Sequence, residues 1–513
     1  MLAKLLSATI VGVQAFPVEV EVYVGKTFSD QGAVVVGLPD AAVRESRDRV
    51  KAAVENSGFK HPDERITISL APADLKKEGP LFDLPIALGL LQASSQLSLD
   101  KAAHTMIIGE LALDGRIRPV HGVLAVTLAA KENGKRAVIV PAGNADEAAV
   151  VQGITIYAVR NLREVTDYLE GKSALAPYHT NGANHSTGNS EKYDLDFSDV
   201  KGQEGAKRAI EIAAAGAHNL LMIGSAGSGK SMLAKRIPTI MPPLTLDEAI
   251  ETTKIHSIVG LLAPGSSLVQ ERPFRNPHHT VSDIGLVGGS MKLTPGEVSL
   301  AHNGVLFLDE LPEFRRSTLE SLRQPIEDCK VTITRASGSI TFPSRFMLVA
   351  AMNPSPTGNK NDVKQGRVSA ADTQKYLNRI SGPLLDRIDI HLEVAPLKHK
   401  ELIHPTPAEN SAAIRERVIR ARNIQLERFK NTRSIWANAQ MTTKDVRHYI
   451  PLDEESKNLL TMALTELNLS ARAYDRILKV SRTIADLSGQ ESVSSEHISE
   501  AISYRTLDRQ MWG

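Results

Sequence analysis

The chain has 513 residues, too many for one hydrophobic core, and its 42% hydrophobic content is ample for several globular domains. Its 60 basic and 59 acidic residues leave a formal net charge of +1, so no overall charge indicates nucleic acid or a membrane, and any polyanion site must be local. The single cysteine, Cys329, excludes an intramolecular disulfide framework and a multi-cysteine zinc site, and it fits a reducing cytoplasm.

The first 172 residues alternate strand-like and helix-like segments, which predicts an α/β or α+β domain. The start of the chain superficially resembles a signal peptide, but Ser7, Thr9 and Gly12 interrupt it and a period-two strand pattern follows. No apolar stretch approaches membrane-spanning length, so we expect a soluble cytoplasmic protein. Strands are predicted at 18–24, 65–70, 137–140 and 154–159, and helices at about 40–56, 84–92 and 121–133.

Three changes of composition divide the rest of the chain. Residues 173–196 are rich in Ser, Gly, Asn, His and Thr, which predicts a flexible linker. Residues 197–397 alternate helices with short apolar strands and form a predicted central core. Residues 398–513 are mainly helical, which indicates a small bundle acting as a lid. The expected fold is therefore multidomain α/β.

A P-loop pattern with complete G-x-x-x-x-G-K-[ST] spacing opens the central core. An apolar strand, 220–223, precedes it and a helix-compatible stretch follows, so the glycines can aim backbone N–H groups and a helix N-terminus at phosphate oxygens. Lys230 would reach the β- and γ-phosphates of ATP, and the Ser231 hydroxyl would bind Mg²⁺. The predicted nucleotide-binding residues are Gly224, Ser225, Ala226, Gly227, Ser228, Gly229, Lys230 and Ser231.

A second apolar strand, 305–308, runs directly into two carboxylates, the Walker B arrangement. Asp309 would hold the Mg²⁺ shell, and Glu310 would act as the general base that polarises the attacking water. The alternative is a strand that simply ends in an acidic turn. The P-loop upstream favours the catalytic interpretation.

Two polar residues further along are candidates for completing the site. Asn353 ends an apolar strand, 346–351, and would orient the lytic water as sensor 1, unless it only forms an Asx turn before Pro354. Arg387 would act as an arginine finger across a subunit interface, with Arg379 as the second choice. The alternative for Arg387 is an ion pair with Asp386 or Asp389 in its own chain.

The helical C-terminal region contains a further candidate. Arg472 lies near the start of a predicted helix and would reach the nucleotide as sensor 2. Arg476 and Arg482, on the same helix, could equally be solvated surface arginines.

Two loops indicate a substrate. Residues 285–296 are too glycine-rich for a continuous helix, and residues 331–342 have the alternation and central turn of a β-hairpin. In a ring of six subunits, these loops would line the pore, and Lys292, Lys330 and Arg335 would contact a DNA phosphate backbone without reading bases. They could instead be ordinary exposed cations. His278 and His279 have no cysteine or carboxylate neighbour in the sequence, so no metal site is predicted there.

Four stretches of the core, residues 275–281, 288–290, 295–314 and 381–389, resemble the magnesium-chelatase-like AAA+ family, and more closely the YifB/ComM competence proteins. The resemblance spans nearly the whole chain. It implies an ATP- and Mg²⁺-dependent homo-hexameric DNA helicase that drives branch migration during natural transformation. The implied partner is single-stranded and branched DNA, with no membrane and no small-molecule substrate beyond ATP.

The N-terminal domain resembles the Lon protease fold, through residues 77–80 and 108–119. Leu81 stands where the Lon pattern has its nucleophilic serine, and Leu124 where it has the activating lysine. Two leucines supply neither hydroxyl nor amine, so we expect a proteolytically inactive domain that serves as a scaffold or DNA collar. Inactive Lon-like domains of RadA-type recombination proteins favour the DNA interpretation.

Two other functions remain as alternatives. One is a protein-remodelling motor of the magnesium-chelatase or MoxR type; those families share the core motifs but are expected to lack the Lon-like domain. The other is an ATP-dependent protease, against which the two leucines argue. The aromatic content of 4% leaves little material for base stacking, so DNA binding would be mainly electrostatic and salt-sensitive.

Overall fold

The computed structural model describes residues 1–28, 33–179, 194–263, 265–290, 293–335, 338–358, 369–396, 408–432, 435–467 and 469–507. The chain divides into two compact units. The first unit contains Met1–Gly188 and Leu246–Val269, and the second contains Asn189–Thr245 and Gln270–Gly513.

The strands of the described chain belong to four sheets. Their bounds are β1 Leu2–Val11, β2 Gln14–Phe28, β3 Val34–Val36, β4 Glu64–Ala71, β5 Thr105–Ile107, β6 Glu110–Leu111, β7 Ile117–Arg118, β8 Ala137–Pro141, β9 Thr155–Val159, β10 Leu220–Ile223, β11 Phe274–Arg275, β12 Val305–Leu308, β13 Lys330–Arg335, β14 Gly338–Pro343, β15 Met347–Met352 and β16 Ile390–Glu393.

The described α-helices, numbered in chain order, are α1 Ala41–Asn56, α2 Asp83–Ala93, α3 Val123–Glu132, α4 Ala145–Ala148, α5 Leu162–Leu169, α6 Glu204–Gly216, α7 Lys230–Ile240, α8 Leu246–Ile258, α9 Asp283–Val287, α10 Glu297–Leu300, α11 Arg316–Ser321, α12 Arg323–Asp328, α13 Ala370–Leu377, α14 Gly382–Leu385, α15 Ser411–Phe429, α16 Thr443–Tyr449, α17 Glu454–Glu466, α18 Ala471–Leu487 and α19 Ser495–Ser503. Among them, no helix is long and apolar enough to cross a membrane.

The first unit is built on a seven-stranded mixed sheet with the order β3-β4-β2-β1-β5-β8-β9. The chain begins in this sheet, because β1 pairs antiparallel with β2 from Leu2 opposite Tyr23 to Val11 opposite Gln14. Gly12 has a φ of 64°, the left-handed conformation that a tight turn between these strands requires. The residues that superficially resembled a signal peptide therefore form a strand of a folded domain.

Segment 246–269 departs from the predicted domain boundaries, which placed it in the ATPase core. It clusters with the first unit. The Ser257 hydroxyl accepts a hydrogen bond from the Gly122 N–H at 2.8 Å and donates to a Glu147 carboxylate oxygen at 2.5 Å. Glu147 also accepts from the Leu124 N–H at 2.9 Å. Ser257 and Glu147 together satisfy backbone N–H groups at the start of α3, which have no partner within that helix.

The predicted linker, residues 173–196, is ordered at its described ends. Leu175 and Tyr178 pack against the core of the first unit, and the Tyr178 hydroxyl donates to Asp146 at 2.7 Å. Asp196 accepts hydrogen bonds from the Ser198 and Ser411 N–H groups. Apolar and capping side chains within a polar stretch account for this order. Residues 180–193 lie outside the described part of the chain.

The second unit contains a five-stranded sheet with the order β11-β12-β15-β10-β16, in which every neighbouring pair is parallel. Its three central strands, β12, β15 and β10, are continuous apolar runs, as expected for strands covered on both faces. Residues of α15 and α18 belong to the same buried cluster as the strands, so the C-terminal helices and the sheet share one core. The predicted separate lid domain, 398–513, is part of this unit where it is described.

Candidate functional site

The P-loop connects β10 to α7 at the carboxyl edge of the parallel sheet. Gly227 and Gly229 have φ angles of 75° and 92°, and both are open to the left-handed region because they lack a Cβ. A Cβ added at Gly227 would meet no atom within 4 Å, so this part of the loop faces open space. The loop and the first turn of α7 form a concave backbone of the kind that suits phosphate groups.

Lys230 begins α7 and turns back over the loop. Its Nζ donates to the carbonyl oxygens of Gly224 at 2.7 Å and Ser225 at 3.0 Å, and to the Asn353 side-chain oxygen at 3.2 Å. Burial lowers the pKa of Lys230, while the nearby charges of Asp309 and Glu310 act in the opposite direction. The contact with Asn353 brings the predicted sensor 1 residue to the predicted phosphate-binding lysine.

The predicted magnesium residues also come together. The Ser231 hydroxyl donates to an Asp309 carboxylate oxygen at 2.6 Å, and the other oxygen of Asp309 accepts from the Glu310 N–H at 3.0 Å. No group of three or more His, Cys, Asp or Glu side chains that could hold a metal occurs among the described residues. One hydroxyl and one carboxylate fit Mg²⁺, which keeps waters and phosphate oxygens among its ligands.

The Ser228 side chain also indicates whether the P-loop suits a polyphosphate. Its hydroxyl is buried and makes no hydrogen bond to any residue in the described ranges. A buried hydroxyl without a partner is costly. Its place in the P-loop next to the phosphate-binding backbone makes an anionic oxygen a suitable partner. The residues present therefore fit both ATP and Mg²⁺.

Glu310 has a backbone conformation that is unusual for a residue other than glycine. Its φ is 54° and its ψ is 48°, the left-handed region that non-glycine residues adopt at a cost of about 1 kcal/mol or more. Its carboxylate is 58% exposed, and one oxygen lies 3.4 Å from the Nδ1 atom of His279. Strained backbone of this kind concentrates at functional sites.

Two residues beside Glu310 and Asn353 are not marked by the sequence. His279 has no carboxylate near it in the sequence, yet Glu310 is near it in space. Tyr376 in α13 is buried, and this burial, followed by the charge of Glu313, raises its pKa to about 12. The order of strands could have indicated His279, because β11, which precedes it, is the neighbour of β12, which precedes Glu310.

The expected projecting orientation of Arg387 is not observed. Its side chain is only 5% exposed, and it forms an ion pair with Glu327 at 2.6 Å, rather than with Asp386 or Asp389. Burial in the turn after α14, with a donor bond to the Pro383 carbonyl at 2.5 Å, accounts for this orientation. Arg379, the second choice, is 52% exposed and pairs with Glu313 at 3.0 Å.

The three arginines of α18 differ in their surroundings. Arg472 is exposed in the first turn. Arg476 forms an ion pair with the buried carboxylate of Asp389, and Arg482 pairs with Asp486 at 2.8 Å. Arg476 and Arg482 are therefore not solvated surface arginines, because ion pairs inside the second unit hold both.

The two predicted substrate loops lie together. β13 and β14 form the predicted hairpin, with Arg335 opposite Gly338 at its tip. The Arg335 guanidinium donates to the Gly289 carbonyl at 2.8 Å, which joins the hairpin to the glycine-rich loop. Lys330 is exposed at the start of β13. Lys292, the third predicted DNA contact, lies outside the described residues.

A parallel sheet with a P-loop after one strand and paired carboxylates after another defines a P-loop ATPase core of the AAA+ type. Three segments match magnesium chelatase families: residues 196–402 match "Magnesium chelatase, subunit ChlI", residues 18–144 match "Subunit ChlI of Mg-chelatase", and residues 408–505 match "Magnesium chelatase, subunit ChlI C-terminal".

Two relatives are similar over nearly their full length. The chain is 46% identical over 510 residues to "Competence protein ComM" of Haemophilus influenzae, covering 99% of this chain and 98% of that protein. It is 45% identical over 501 residues to the protein YifB of Escherichia coli, covering 97% and 96%. The chain belongs to the YifB/ComM family of magnesium-chelatase-like AAA+ proteins.

Similarity to a protease is weaker and partial. The chain is 30% identical over 141 residues to "Lon protease 2" of Bacillus subtilis, which covers 26% of this chain and 25% of that protein. Leu81 and Leu124 are both buried, and they belong to different apolar clusters of the first unit. Leu124 packs with Ile250 and Leu268 of segment 246–269.

Proposed function

We propose that this protein is an ATP-driven DNA translocase that works as a homo-hexamer and promotes branch migration during natural transformation. The observation that carries the proposal is the set of contacts Lys230–Asn353, Ser231–Asp309 and Glu310–Asp309 at one sheet edge. The name of the Haemophilus influenzae relative, a competence protein, supports the biological setting.

In the proposed hydrolysis, each residue of the sheet edge has a separate task. Lys230 and the P-loop N–H groups would hold phosphate oxygens, and Ser231 and Asp309 would hold Mg²⁺. When bound there, the metal would supply positive charge for the phosphoryl oxygens. Glu310 accepts a proton from the attacking water, and Asn353 orients that water. Arg387 or Arg379 of a neighbouring subunit and Arg472 would complete the set.

The joined loops support DNA as the substrate. Arg335 and Lys330 lie on a hairpin, and the Arg335 guanidinium donates to the Gly289 carbonyl, so the hairpin and the glycine-rich loop lie side by side. Their cations would contact phosphates, and binding of this type weakens steeply as salt rises. An affinity for single-stranded DNA that hardly changes between low and high salt would contradict this arrangement.

The second candidate is a protein-remodelling motor. All three matched families carry a magnesium chelatase description, including the one that covers residues 18–144. The N-terminal region is expected to separate this chain from those motors, and the chelatase description of the family matched there is the observation that favours this second candidate. DNA-independent hydrolysis without strand movement would favour this candidate.

The decisive experiment is strand displacement on a mobile four-way DNA junction with ATP and Mg²⁺. We expect the wild type to resolve the junction and to leave a matched junction with heterologous arms intact. Lys230→Ala should lose ATP binding, whereas Glu310→Gln should bind ATP and stop turnover. If Glu310→Gln resolves the junction at the wild-type rate, the general base lies elsewhere.

A further inference from the structure

The hairpin of β13 and β14 has two different faces. Val331 lies opposite Phe342, and both are buried together with Ile333. The Ile333 side chain packs on the glycine-rich loop, because a Cβ added at Gly289 would lie 3.1 Å from its Cγ2 atom. Successive side chains of a strand point to opposite faces, so the residues between these apolar ones belong to the other face. One face is therefore closed by packing, and a ligand can reach only the other.

The open face carries hydroxyl groups in cross-strand pairs. Thr332 lies opposite Thr341 with their Oγ1 atoms 2.9 Å apart, and both residues are exposed. The next pair, Thr334 and Ser339, has its hydroxyl oxygens 3.2 Å apart and is exposed as well. Each hydroxyl has one proton to donate, so a pair uses one proton internally and keeps a second for an outside acceptor. The face therefore offers donors to a ligand with acceptor oxygens.

The charge of the hairpin favours an anionic ligand. Residues 330–345 contain no acidic residue, and their basic residues are Lys330, Arg335 and Arg345. Lys330 is exposed at the start of β13 and forms no ion pair with another residue of the described ranges. The nearest carboxylates in the sequence, Glu327 and Asp328, precede the hairpin, and Glu327 is paired with Arg387. The open face is thus complementary to negative charge.

A phosphodiester backbone has both the oxygens and the charge that this face requires. Serine and threonine hydroxyls and lysine are ordinary donors to phosphate oxygens in protein complexes with nucleic acid. Phe342 is the one aromatic residue in the sequence 330–343, and it is buried on the closed face. The open face therefore has no ring on which a base could stack, and recognition there would be independent of base sequence.

We propose that the open face, formed by Thr332, Thr334, Ser339 and Thr341, is a docking surface for the phosphodiester backbone of single-stranded DNA. Residues on one face of a strand repeat about every 6.8 Å, so the two pairs give two donor positions along one backbone. This inference rests on the proposed DNA-translocase function and adds neutral donors to the cations named there. Neutral donors displace no condensed counterions, so their contribution is independent of salt concentration.

The test is fluorescence anisotropy of a fluorescein-labelled oligothymidylate with the full chain and a non-hydrolysable ATP analogue, over a range of salt concentrations. The double variant Thr332→Val with Thr341→Val replaces one hydroxyl pair by side chains of similar shape that also favour strands. We expect its affinity to fall about 10-fold, as loss of one hydrogen bond to a charged acceptor predicts, with an unchanged salt slope. Lys330→Gln should instead reduce the slope of log K against log salt by about 0.7.

Two further double variants separate binding from folding. Thr332→Ser with Thr341→Ser keeps both hydroxyls but lowers the strand propensity, and it should bind with nearly wild-type affinity. Thr461→Val with Thr465→Val is the matched control, because these exposed hydroxyls donate to carbonyl oxygens within α17. This control should bind the oligothymidylate as the wild type does.

Three outcomes contradict the inference or its basis. Wild-type affinity in the valine pair at 332 and 341, or weaker binding by the serine pair than by the valine pair, overturns the inference alone. An equal loss by the valine pair toward labelled polyglutamate assigns the surface to an acidic polypeptide and also overturns it. A wild type that binds the ATP analogue but not the oligothymidylate overturns the proposed function.

Discussion

The ion pair between Arg387 and Glu327 limits how far the Arg387 guanidinium can reach from its own subunit. The guanidinium is buried beside a carboxylate that is itself 47% exposed, so the pair lies at the edge of the second unit. An arginine finger must leave such a pair to reach the phosphate of another subunit. Glu327 would then hold the arginine in place between catalytic events.

As the proposed arginine finger, Arg387 would neutralise transition-state charge, so we expect Arg387→Ala to lower hydrolysis by a factor on the order of 10³. Glu327→Gln should retain hydrolysis, because it removes the restraint and not the cation. The measurement is the ATPase rate of assemblies mixed from Arg387→Ala and Glu310→Gln subunits, each inactive alone, which should recover part of the wild-type rate because an Arg387→Ala site can take its arginine from a Glu310→Gln neighbour. Arg379→Ala is the control. If Arg379→Ala loses hydrolysis while Arg387→Ala only unfolds more easily, the assignment is reversed.

The residues of the P-loop and of Walker B could be found from the sequence because their geometry is local. A strand, a turn with glycines and a helix are consecutive in the chain, and so are Asp309 and Glu310. The positions of His279 and Arg387 could not be found in this way. Both depend on contacts with residues distant in the chain, Glu310 and Glu327, which only the order of strands and helices brings near.

At the scale of elements, α18 joins the amino ends of the parallel strands, opposite the edge with the P-loop, to the helical part of the second unit. Arg476 contacts Asp389, the residue before β16, and Asp389 also accepts from the Asn219 N–H at 3.0 Å. Burial alone would raise the pKa of Asp389, but Arg476 and His218 outweigh it and hold the pKa well below its usual range. The carboxylate is therefore charged in the folded protein and needs its cation.

The same helix offers a matched pair of variants one turn apart. Arg476→Ala should lower the free energy of unfolding of the second unit by about 3 kcal/mol, because it leaves a buried carboxylate without its partner. Arg472→Ala should change it by less than about 0.5 kcal/mol, because this arginine is exposed. Urea unfolding followed by tryptophan fluorescence measures this, since Trp436 belongs to the second unit and the sequence of the first unit contains no tryptophan.

The ATPase rates of the same two variants distinguish a catalytic role of Arg472 from a structural role of Arg476. Arg472→Ala should slow hydrolysis in fully folded protein if it acts as sensor 2, whereas Arg476→Ala should affect hydrolysis only where folding is lost. Equal destabilisation by both variants would show that the exposure of Arg472 does not describe its role.

Several of the longer helices and strands could be predicted because local signals mark them. The start of α18, for example, is capped by the Ser470 side chain, which accepts from the Ala473 N–H at 3.2 Å. The strand β1 was not predicted, because the adjacent Leu5 and Leu6 break the period-two alternation. Its pairing with β2, and not its own pattern, makes it a strand.

At the scale of the whole molecule, segment 246–269 shows where a boundary in sequence and a boundary in space differ. It follows α7, the P-loop helix, after only the short stretch 241–245, yet it clusters with the first unit. The local sequence of the segment does not specify the surface against which it packs. The partners that decide its place, Gly122, Leu124 and Glu147, are more than a hundred residues earlier in the chain.

Two leucine variants of the full chain test whether segment 246–269 unfolds with the first unit or with the second. Leu124 is fully buried against Ile250 and Leu268, and Leu233 is fully buried in α7. Each Leu→Ala change should cost about 2 to 5 kcal/mol through lost contacts and a cavity. In hydrogen–deuterium exchange, Leu124→Ala should increase uptake in 246–269 and leave α7 protected, because local opening follows cooperative units. Leu233→Ala should do the reverse. If uptake in 246–269 follows Leu233→Ala instead, the segment belongs to the ATPase unit, and the expectation that Leu124 packs against it fails as well.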